Sequence, residues 1–340
     1  MKNPEEELTG QELFEHYRFT VDAGQSSARI DKYLTARIEN TSRTRVQYAS
    51  LAGNILVNNI PVKPSYKVKP GDVIQILLPT PPREIELIPE DIPLNILYED
   101  DDVIVINKEA GMVVHPAYGN YTGTLVNALM YHFRDLPLFR TGEARPGLVH
   151  RLDKNTSGIM VVAKNEIAQN KLARQFFNRT TERIYNAVVW GTPRPPEGTI
   201  TGNIGRNLKD RKIMQVFEGE EHGKHAVTHY RVLESFGYVS LIECRLETGR
   251  THQIRVHLSH IRHPVFNDNE YGGDRILRGT TFSRYQQFVR NCFEIIPRQA
   301  LHARTLAFNH PSTGERLSFE SDLPDDMKLL LEKWREYTAQ

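Results

Sequence analysis

The polar segment His150–Ser157 contains the side chains whose types and spacing are most suited to chemistry. Asp153 lies in it between Arg151 and Lys154, and Gly158 begins an apolar run typical of a buried strand. A carboxylate between two cations at the mouth of a strand should stay ionised and lie where a phosphodiester could bind. The same spacing also fits an ordinary turn or capping residue. The segment therefore predicts either a reactive or a structural carboxylate.

Two further side chains could assist such a carboxylate, although each also has a structural explanation. Tyr185 lies in a strand-like run and could be a core or edge aromatic residue. Arg255 lies in a predicted helix, where its spacing from Thr251 and Ser259 would suit a surface residue. The neighbouring histidines lack a Cys or Glu partner and do not share one helical face, which argues against a zinc site; they are His252, His257, His260 and His263.

Longer motifs connect these positions. The run His-Arg-Leu-Asp-Lys-x-Thr-Ser-Gly over 150–158, followed by an apolar strand and Ala-Lys, resembles the signature of the RluA-type family of RNA pseudouridine synthases. Other motifs of that family are resembled, in the same order, by segments 107–116, 182–191, 248–257 and 299–311. The resemblance covers roughly residues 92 to 335, and residues from about 18 to 78 resemble an S4 RNA-binding domain, a common N-terminal attachment in this RluA/RluD-type family.

The resemblance implies a function for each matching position. Asp153 matches the essential aspartate, which attacks or deprotonates the nucleoside, and Arg255 matches the arginine that pairs with it. Tyr185 matches the tyrosine that stacks on the target base. Arg151 resembles the residue inserted where the base leaves the RNA stack, and Leu306 is assigned to the apolar wall of the base pocket. The implied fold is α+β, with a central mixed, mainly antiparallel sheet flanked by helices and loops.

The implied reaction sets physical requirements that these residues meet. Replacing a C1′–N1 bond by a C1′–C5 bond needs no redox change or external energy source, so we expect no cofactor and no metal. The reaction needs an extruded base, a pocket that retains the free uracil, and an ionised carboxylate. An arginine partner would keep Asp153 charged in a pocket that excludes water.

The charges along the chain are distributed unevenly, although the formal net charge is +1. Residues 27–69 contain eight Lys or Arg and two acids, whereas residues 84–102 contain eight acids and no base. A basic module beside an acidic connector could attract RNA, although a solvated charged face is the simpler alternative. We expect this module to bind RNA through Arg29, Lys32, Arg43 and Arg45.

Periodicity and turn residues divide the chain into four parts. We expect a flexible lead-in over 1–17, a small α/β S4-like domain over 18–79, a Pro-rich acidic linker over 80–93, and a catalytic domain over 94–340. The strand-like runs predicted in the catalytic domain are 103–106, 112–114, 159–163, 187–190, 238–244 and 305–308, and the predicted helices are 124–133, 165–178, 251–260 and 325–337.

Together these patterns predict an enzyme that isomerises specific uridines to pseudouridine. Large-subunit ribosomal RNA is the expected substrate, because S4-bearing members of the family usually act there. Transfer RNA is an alternative substrate, and a non-catalytic RNA-binding or ribosome-assembly factor is an alternative function. A zinc nucleobase deaminase would need His-x-Glu and Pro-Cys-x-x-Cys motifs, and the sequence has neither.

The surroundings of the protein can also be predicted from composition. Only two cysteines occur, Cys244 and Cys292, which suits a reduced cytoplasmic compartment. The sequence has no apolar run of 18 uncharged residues and no signal-peptide pattern at its start, so we expect no membrane association. We expect a monomer.

Overall fold

The computed structural model describes residues 14–38, 41–78, 87–116, 120–140, 146–207, 210, 213–219 and 222–339. These residues divide between two compact units, each with its own hydrophobic core. The first unit contains residues 14–78 together with 206, 207, 210 and 213, and the second contains residues 87–205 and 214–339. No helix in the described ranges is both long enough and apolar enough to cross a lipid bilayer.

The first unit consists of two helices and a four-stranded antiparallel sheet. Helix α1 (Ile30–Thr35) and helix α2 (Arg43–Leu51) bury apolar side chains against the sheet, and Ser42 caps α2 by accepting a hydrogen bond from the Arg45 amide. The sheet order is β1-β4-β2-β3, and the strands are β1 (Phe14–Thr20), β2 (Ile55–Val57), β3 (Ile60–Pro61) and β4 (Val73–Leu78).

The first strand begins earlier than the predicted domain boundary. Strand β1 pairs with β4 from Phe14 opposite Leu78 to Thr20 opposite Val73, so residues 14–17 belong to the sheet and not to a flexible lead-in. The earlier part of that lead-in lies outside the described residues. Of the predicted linker, residues 80–86 also lie outside them, and residues 87–93 contain no helix or strand.

A ten-stranded mixed sheet forms the centre of the second unit. Its order is β10-β9-β11-β12-β8-β13-β7-β6-β5, with β14 paired to β13. Strands β13 and β7 pair in parallel, while β5–β6, β6–β7, β8–β12, β8–β13, β9–β11, β11–β12 and β13–β14 are antiparallel. This confirms the predicted mixed, mainly antiparallel sheet. The strands are β5 (Ile96–Glu99), β6 (Val103–Lys108), β7 (Ser157–Ala163), β8 (Glu182–Trp190), β9 (Glu197–Arg206), β10 (Met214–Phe217), β11 (Lys224–Ser235), β12 (Val239–Leu246), β13 (Leu301–Asn309) and β14 (Arg316–Glu320).

Hydrophobic clusters cover both faces of this sheet. Ile104 and Ile106 of β6 belong to the larger cluster, whereas Val103 and Val105 belong to a smaller one, as the alternation of side chains along a strand requires. Helix α5 packs in the smaller cluster, and α3, α6, α7 and α8 contribute to the larger one. The helices are α3 (Leu125–His132), α4 (Pro137–Arg140), α5 (Glu166–Phe177), α6 (Gln253–His260), α7 (Ser283–Ile295) and α8 (Asp325–Thr338).

The predicted elements agree with most but not all of the structure. All four predicted helices are present, and five of the six predicted strands overlap observed ones. The exception is 112–114, where no strand forms. The carbonyls of Val113 and Val114 instead accept hydrogen bonds from the amides of Leu125 and Val126, at 2.9 and 3.1 Å. This apolar run therefore provides acceptors for the first amides of helix α3, which have no partner within the helix.

Candidate active site

The second unit contains a pocket with a volume of about 550 Å3. Its lining comes from the polar segment before strand β7, the end of helix α5, strand β8, and the turn that leads into helix α6. The pocket therefore brings together four side chains that were predicted from three separate motifs, namely Arg151, Asp153, Tyr185 and Arg255.

Backbone contacts fix the segment that carries Asp153. The Thr156 amide donates to the Asp153 carbonyl at 3.1 Å, and the Arg298 guanidinium donates to the Asn155 carbonyl at 3.2 Å. Gly158 has a φ of +123°, and a Cβ atom there would lie 2.2 Å from the carbonyl oxygen of a residue on β13. Strand β7 can therefore approach β13 this closely only with glycine at 158. The turn that contains Asp153 leads directly into β7, so the close pairing of β7 with β13 fixes its position.

A buried ammonium group joins the same segment to strand β6. Lys108 is 2% exposed, and its Nζ donates to the backbone carbonyls of Glu109, Met112 and Lys154 at 2.6, 2.9 and 3.2 Å. Burial, followed by the charge of Arg298, lowers the pKa of Lys108 to about 7. The sequence analysis gave Lys108 no role. Its hydrogen-bond partners are backbone carbonyls of two separate loops, and any residue type can supply a backbone carbonyl, so no sequence pattern indicates the contact.

Asp153 and Arg255 form an ion pair although 102 residues separate them in the chain. Nη1 of Arg255 donates to Oδ2 of Asp153 at 3.2 Å; the arginine side chain is 4% exposed and the aspartate side chain 19% exposed. Within the described part of the chain, Oδ1 of Asp153 accepts no hydrogen bond. The carboxylate is therefore held through one oxygen, and the other is available to a ligand in the pocket.

Two more carboxylates fix the guanidinium of Arg255. Its Nε donates to Oδ2 of Asp268 at 2.6 Å, and its Nη2 donates to Oδ1 of Asp268 at 2.8 Å and also to Glu270. Burial works against the positive charge, but the hydrogen bond and charge of Asp268, with Asp153 and Glu270, outweigh it and raise the pKa of Arg255. The sequence analysis gave Asp268 and Glu270 no role. The bidentate contact leaves Nη1 directed to Asp153.

Tyr185 provides a flat apolar part of the pocket wall. It lies in strand β8, opposite Cys244 on β12 and Ala303 on β13, and it is 8% exposed. Burial raises the pKa of Tyr185, although the charge of Arg183 acts in the opposite direction. The side chain is therefore a neutral phenol whose ring can contact a planar ligand.

Leu306 does not line the pocket, in contrast to the sequence assignment. It is 1% exposed and packs in the smaller cluster with residues such as Val161 and Phe308. Leu301, on the same strand, lines the pocket instead. The two leucines of this strand therefore belong to different hydrophobic clusters, Leu301 to the larger one and Leu306 to the smaller one.

Exposed cationic and aromatic side chains complete the pocket lining. Arg151 and Arg179 are exposed, Arg250 is half-buried, and all three line the pocket. Phe177, at the end of helix α5, is 86% exposed. Guanidinium groups beside an exposed aromatic ring are suited to phosphates and bases.

The four basic residues predicted to bind RNA in the first unit have different surroundings. Arg29 and Arg43 both form ion pairs with the buried Asp31, at 2.9 and 3.0 Å. Lys32 and Arg45 are exposed. The pair of Arg29 with Asp31 is local to the start of α1, whereas the pair of Arg43 with Asp31 joins α2 to α1 and depends on the packing of the two helices.

The clustered histidines of the α6 region do not converge on one point. Nδ1 of His257 is bonded to the Thr228 hydroxyl at 2.9 Å, and Nδ1 of His263 is bonded to the Trp190 carbonyl at 2.7 Å. Across the described ranges, no group of three or more His, Cys, Asp or Glu side chains could hold a metal ion. His252 differs from the other histidines because it lines the pocket.

Comparison with known proteins identifies the two parts of the chain. Residues 102–260 match the family model of RNA pseudouridylate synthases, and residues 28–74 match that of the S4 domain. An uncharacterized RNA pseudouridine synthase of Chlorobaculum parvum is 55% identical over 92% of this chain and 95% of its own length. The ribosomal large subunit pseudouridine synthase D of Neisseria meningitidis is 44% identical over 92% of this chain and 80% of its own length.

A solved structure supports the same relationship. The human RNA pseudouridylate synthase domain containing 4 aligns with a TM-score of 0.51 and 27% identity, over 71% of this chain and 93% of that chain. The pocket with Asp153 and Arg255 lies within the unit that carries the synthase match. From these similarities, the chain belongs to the RNA pseudouridine synthase family and carries an S4 domain in its N-terminal part.

Proposed function

We propose that this enzyme isomerises specific uridines of large-subunit ribosomal RNA, with Asp153 as its catalytic carboxylate. The substrate is supported by relatives of more than 40% identity that are named ribosomal large subunit pseudouridine synthase D, among them those of Neisseria meningitidis and Vibrio cholerae. One observation supports the catalytic role: Asp153 is ion-paired through Oδ2, while Oδ1 accepts no hydrogen bond from the described residues.

The reaction breaks the C1′–N1 bond of uridine, turns the detached uracil, and forms a C1′–C5 bond. C5 then loses its proton and N1 gains one, so the product is an isomer of uridine and no co-reactant is consumed. An ionised carboxylate is required beside the sugar while the glycosidic bond breaks. Arg255 supplies that condition, because its guanidinium is buried, charged and held by Asp268 independently of Asp153. The arginine therefore keeps Asp153 ionised when the nucleoside displaces water from the pocket.

The pocket wall suits a uracil that must be retained between the two bonds. The neutral phenol of Tyr185 and the side chain of Leu301 offer apolar surface for the planar base. Base extrusion costs a few kcal/mol, and stacking on an aromatic ring recovers part of it. Arg151, exposed two residues before Asp153, is suited to occupy the space that the flipped base leaves in the RNA.

The S4 domain supplies affinity for RNA in this proposal. Its exposed basic residues are suited to phosphates, and such contacts position a nucleic acid without reading its sequence. The exposed guanidinium groups at the pocket add to the same electrostatic attraction. The choice of uridine then depends on which RNA segment both surfaces can bind.

Mapping pseudouridines in cells with and without the protein tests the function. Carbodiimide-stop sequencing of ribosomal and transfer RNA should reveal one or more large-subunit sites that disappear in the deletion strain. Wild-type protein should restore those sites, and the Asp153→Asn variant, expressed at the same level, should not. Loss confined to transfer RNA would replace the substrate, and unchanged profiles of both RNA classes would refute the function.

A further inference from the structure

A second side chain approaches the catalytic carboxylate at the oxygen that Arg255 does not bind. Nε2 of His252 lies 3.8 Å from Oδ1 of Asp153, and both side chains line the pocket. This distance is too long for a direct hydrogen bond. It is short enough for one hydroxyl group to bridge the two atoms, because each half of the bridge would have an ordinary hydrogen-bond length.

Tyr271 determines which nitrogen of His252 carries the proton. The backbone amide of Met214 donates to the Tyr271 hydroxyl oxygen at 3.0 Å, and that oxygen lies 2.8 Å from Nδ1 of His252. The hydroxyl proton has no other acceptor among the described residues. Oε2 of Glu270 also faces Nδ1, but at 3.6 Å it lies beyond hydrogen-bond length, so we assign Tyr271 as the donor to Nδ1. In the neutral imidazole the proton must then lie on Nε2, which makes Nε2 a donor beside Oδ1 of Asp153.

The charges around His252 fit this neutral form. The surroundings lower the pKa of His252, and burial is the main cause. The charge of Arg255 acts in the same direction, whereas the charges of Asp153, Glu270 and Asp268 act against it. The Tyr271 ring packs against the imidazole with its centroid 5.7 Å away. Buried beside Arg255, the imidazole is expected to be uncharged at neutral pH.

The backbone holds His252 in place at an energetic cost. Its φ of +55° and ψ of 21° are left-handed, a conformation that residues with a Cβ seldom adopt. Gln253 braces the turn, because its Oε1 accepts hydrogen bonds from the Thr248 hydroxyl at 2.7 Å and the Arg250 amide at 3.0 Å. Strain of this kind at a pocket points to a functional constraint on the side chain.

We propose that His252 and Asp153 together bind the 2′-hydroxyl of the target uridine, which makes His252 a determinant of specificity for ribose. A hydroxyl group both donates and accepts, so it can donate to Oδ1 of Asp153 and accept from Nε2 of His252. The 2′-hydroxyl is carried by the carbon next to C1′, where Asp153 must act, and it distinguishes RNA from DNA. This inference rests on the proposed function, since it takes Asp153 to act at C1′.

A double-mutant cycle between protein and substrate tests the inference. The substrate is a short RNA fragment around a mapped target uridine, made with either uridine or 2′-deoxyuridine at that position. Single-turnover rates are measured by mass spectrometry of the digested nucleosides. The His252→Ala variant should lose about 10- to 100-fold on the ribose substrate, the size expected for a hydrogen bond in a site with charged groups.

The deoxyuridine substrate gives the decisive comparison. Its rates with the wild-type enzyme and with His252→Ala should agree within about twofold, because neither complex contains the bridge. The His252→Gln variant, which keeps an N–H donor at similar reach, should retain part of the preference for ribose. If the losses from the variant and from the deoxy sugar simply multiply, His252 has only a structural role and the inference fails.

Tyr271 provides a second test that leaves the pocket lining intact. The Tyr271→Phe variant should shift the tautomer of His252, detected by the 15N chemical shifts of its ring nitrogens, and should reduce the ribose preference. Tyr230→Phe is the matched control. It also removes a buried hydroxyl, which donates to the Pro195 carbonyl at 3.2 Å, but Tyr230 does not line the pocket. An unchanged tautomer and an unchanged ribose preference in Tyr271→Phe would contradict the assignment.

The same cycle separates failure of this inference from failure of the proposed function. The Asp153→Asn variant is measured on the ribose substrate in parallel. If it remains active, Asp153 is not the catalytic carboxylate and that part of the proposed function is wrong. If it is inactive while the losses at His252 multiply, only the 2′-hydroxyl inference is overturned.

Discussion

Each unit of this protein contains an aspartate that pairs with arginine, and the two pairs are built in opposite ways. In the S4 domain the aspartate is enclosed: Asp31 is 0% exposed, while Arg29 and Arg43 are 41% and 47% exposed. In the synthase unit the arginine is enclosed: Arg255 is 4% exposed and Asp153 is 19% exposed. One pair therefore offers its cations to a ligand, and the other offers its carboxylate.

The hydrogen bonds follow the same division. Both oxygens of Asp31 are occupied, by Arg29, Arg43, Gln47 and the Lys32 amide. Burial works against its charge, but the hydrogen bonds of Arg29, Gln47 and Arg43 outweigh that effect and lower the pKa of Asp31. Asp153 keeps one oxygen unoccupied within the described residues. The structural Asp31 and the proposed catalytic Asp153 therefore differ in how many of their oxygens are occupied, although both pair with arginine.

The largest expected effect is the loss of catalysis in Asp153→Asn. We expect single-turnover pseudouridine formation to fall by about 10⁴-fold or more, because the variant has no ionised oxygen beside the sugar. RNA affinity, measured by filter binding, should stay within about twofold. Asp31→Asn is the matched control and should keep the catalytic rate of the folded enzyme. Comparable losses in both variants would remove the distinction between the two aspartates.

The support of Arg255 by Asp268 has the next largest effect. In Asp268→Asn the guanidinium loses its charged bidentate partner, and we expect the single-turnover rate to fall by about 10²-fold as Arg255 shifts relative to Asp153. Breaking this buried pair should also cost about 3–5 kcal/mol of stability in urea unfolding. Glu270→Gln removes a 40% exposed carboxylate and should cost far less in both measurements. Equal effects of the two variants would show that Asp268 has no special role.

Sequence motifs predicted the residues that line the pocket better than they predicted the residues that hold those side chains in place. Asp153, Tyr185, Arg255 and Arg151 were identified because each lies in a long motif, and the structure brings them into one pocket. The motif-based identification did not extend to the contacts of Asp268, which depend on a loop folding back under helix α6. Pairwise contacts between distant segments leave no periodic signal in a sequence.

The missed elements of the fold have similar causes. Strands 159–163 and 103–106 were predictable because they are continuous apolar runs, typical of strands buried on both faces. Strand β9 contains three glycines in ten residues, and glycine is depleted in strands, so its composition resembles that of a loop. The assignment of Leu306 to the pocket came from a resemblance between motifs, which does not show in which hydrophobic cluster a side chain packs.

Leu301 and Leu306 allow this correction to be tested on one strand. Both are buried, so replacement by Ala should cost each variant about 2–5 kcal/mol of stability in urea unfolding. Only Leu301→Ala removes surface from the pocket, and we expect its kcat to fall about tenfold while Leu306→Ala keeps the wild-type kcat in the folded fraction. A reduced kcat in Leu306→Ala alone would restore the original assignment.

The enclosed carboxylate of the S4 domain should make local stability dependent on pH. The pKa of Asp31 is lower in the folded state than in the unfolded state, so its stabilising contribution is complete above the unfolded value, about pH 4, and is lost as pH falls below it. We expect Asp31→Asn to reduce local stability by about 1.5–3 kcal/mol at pH 7. Hydrogen–deuterium exchange of α1 and α2, corrected for intrinsic rates, should show this difference shrinking between pH 5 and pH 3 (about one unit either side of that value). A difference that grows towards low pH would contradict the lowered pKa.

The smallest effects concern the exposed cations of the S4 domain, where the two classes of basic residue can be compared directly. Because Lys32 and Arg45 are exposed, Lys32→Ala and Arg45→Ala should each weaken RNA binding only a few-fold and leave kcat unchanged. Each variant should also reduce the slope of log K against log salt concentration by about 0.7–0.9 per lost phosphate contact. Arg43→Ala should weaken binding similarly but also lower stability, because it removes a partner of the enclosed Asp31. If Lys32→Ala and Arg45→Ala leave the salt slope unchanged, the RNA lies on another surface, and the basic composition of residues 27–69 reflects solvation alone.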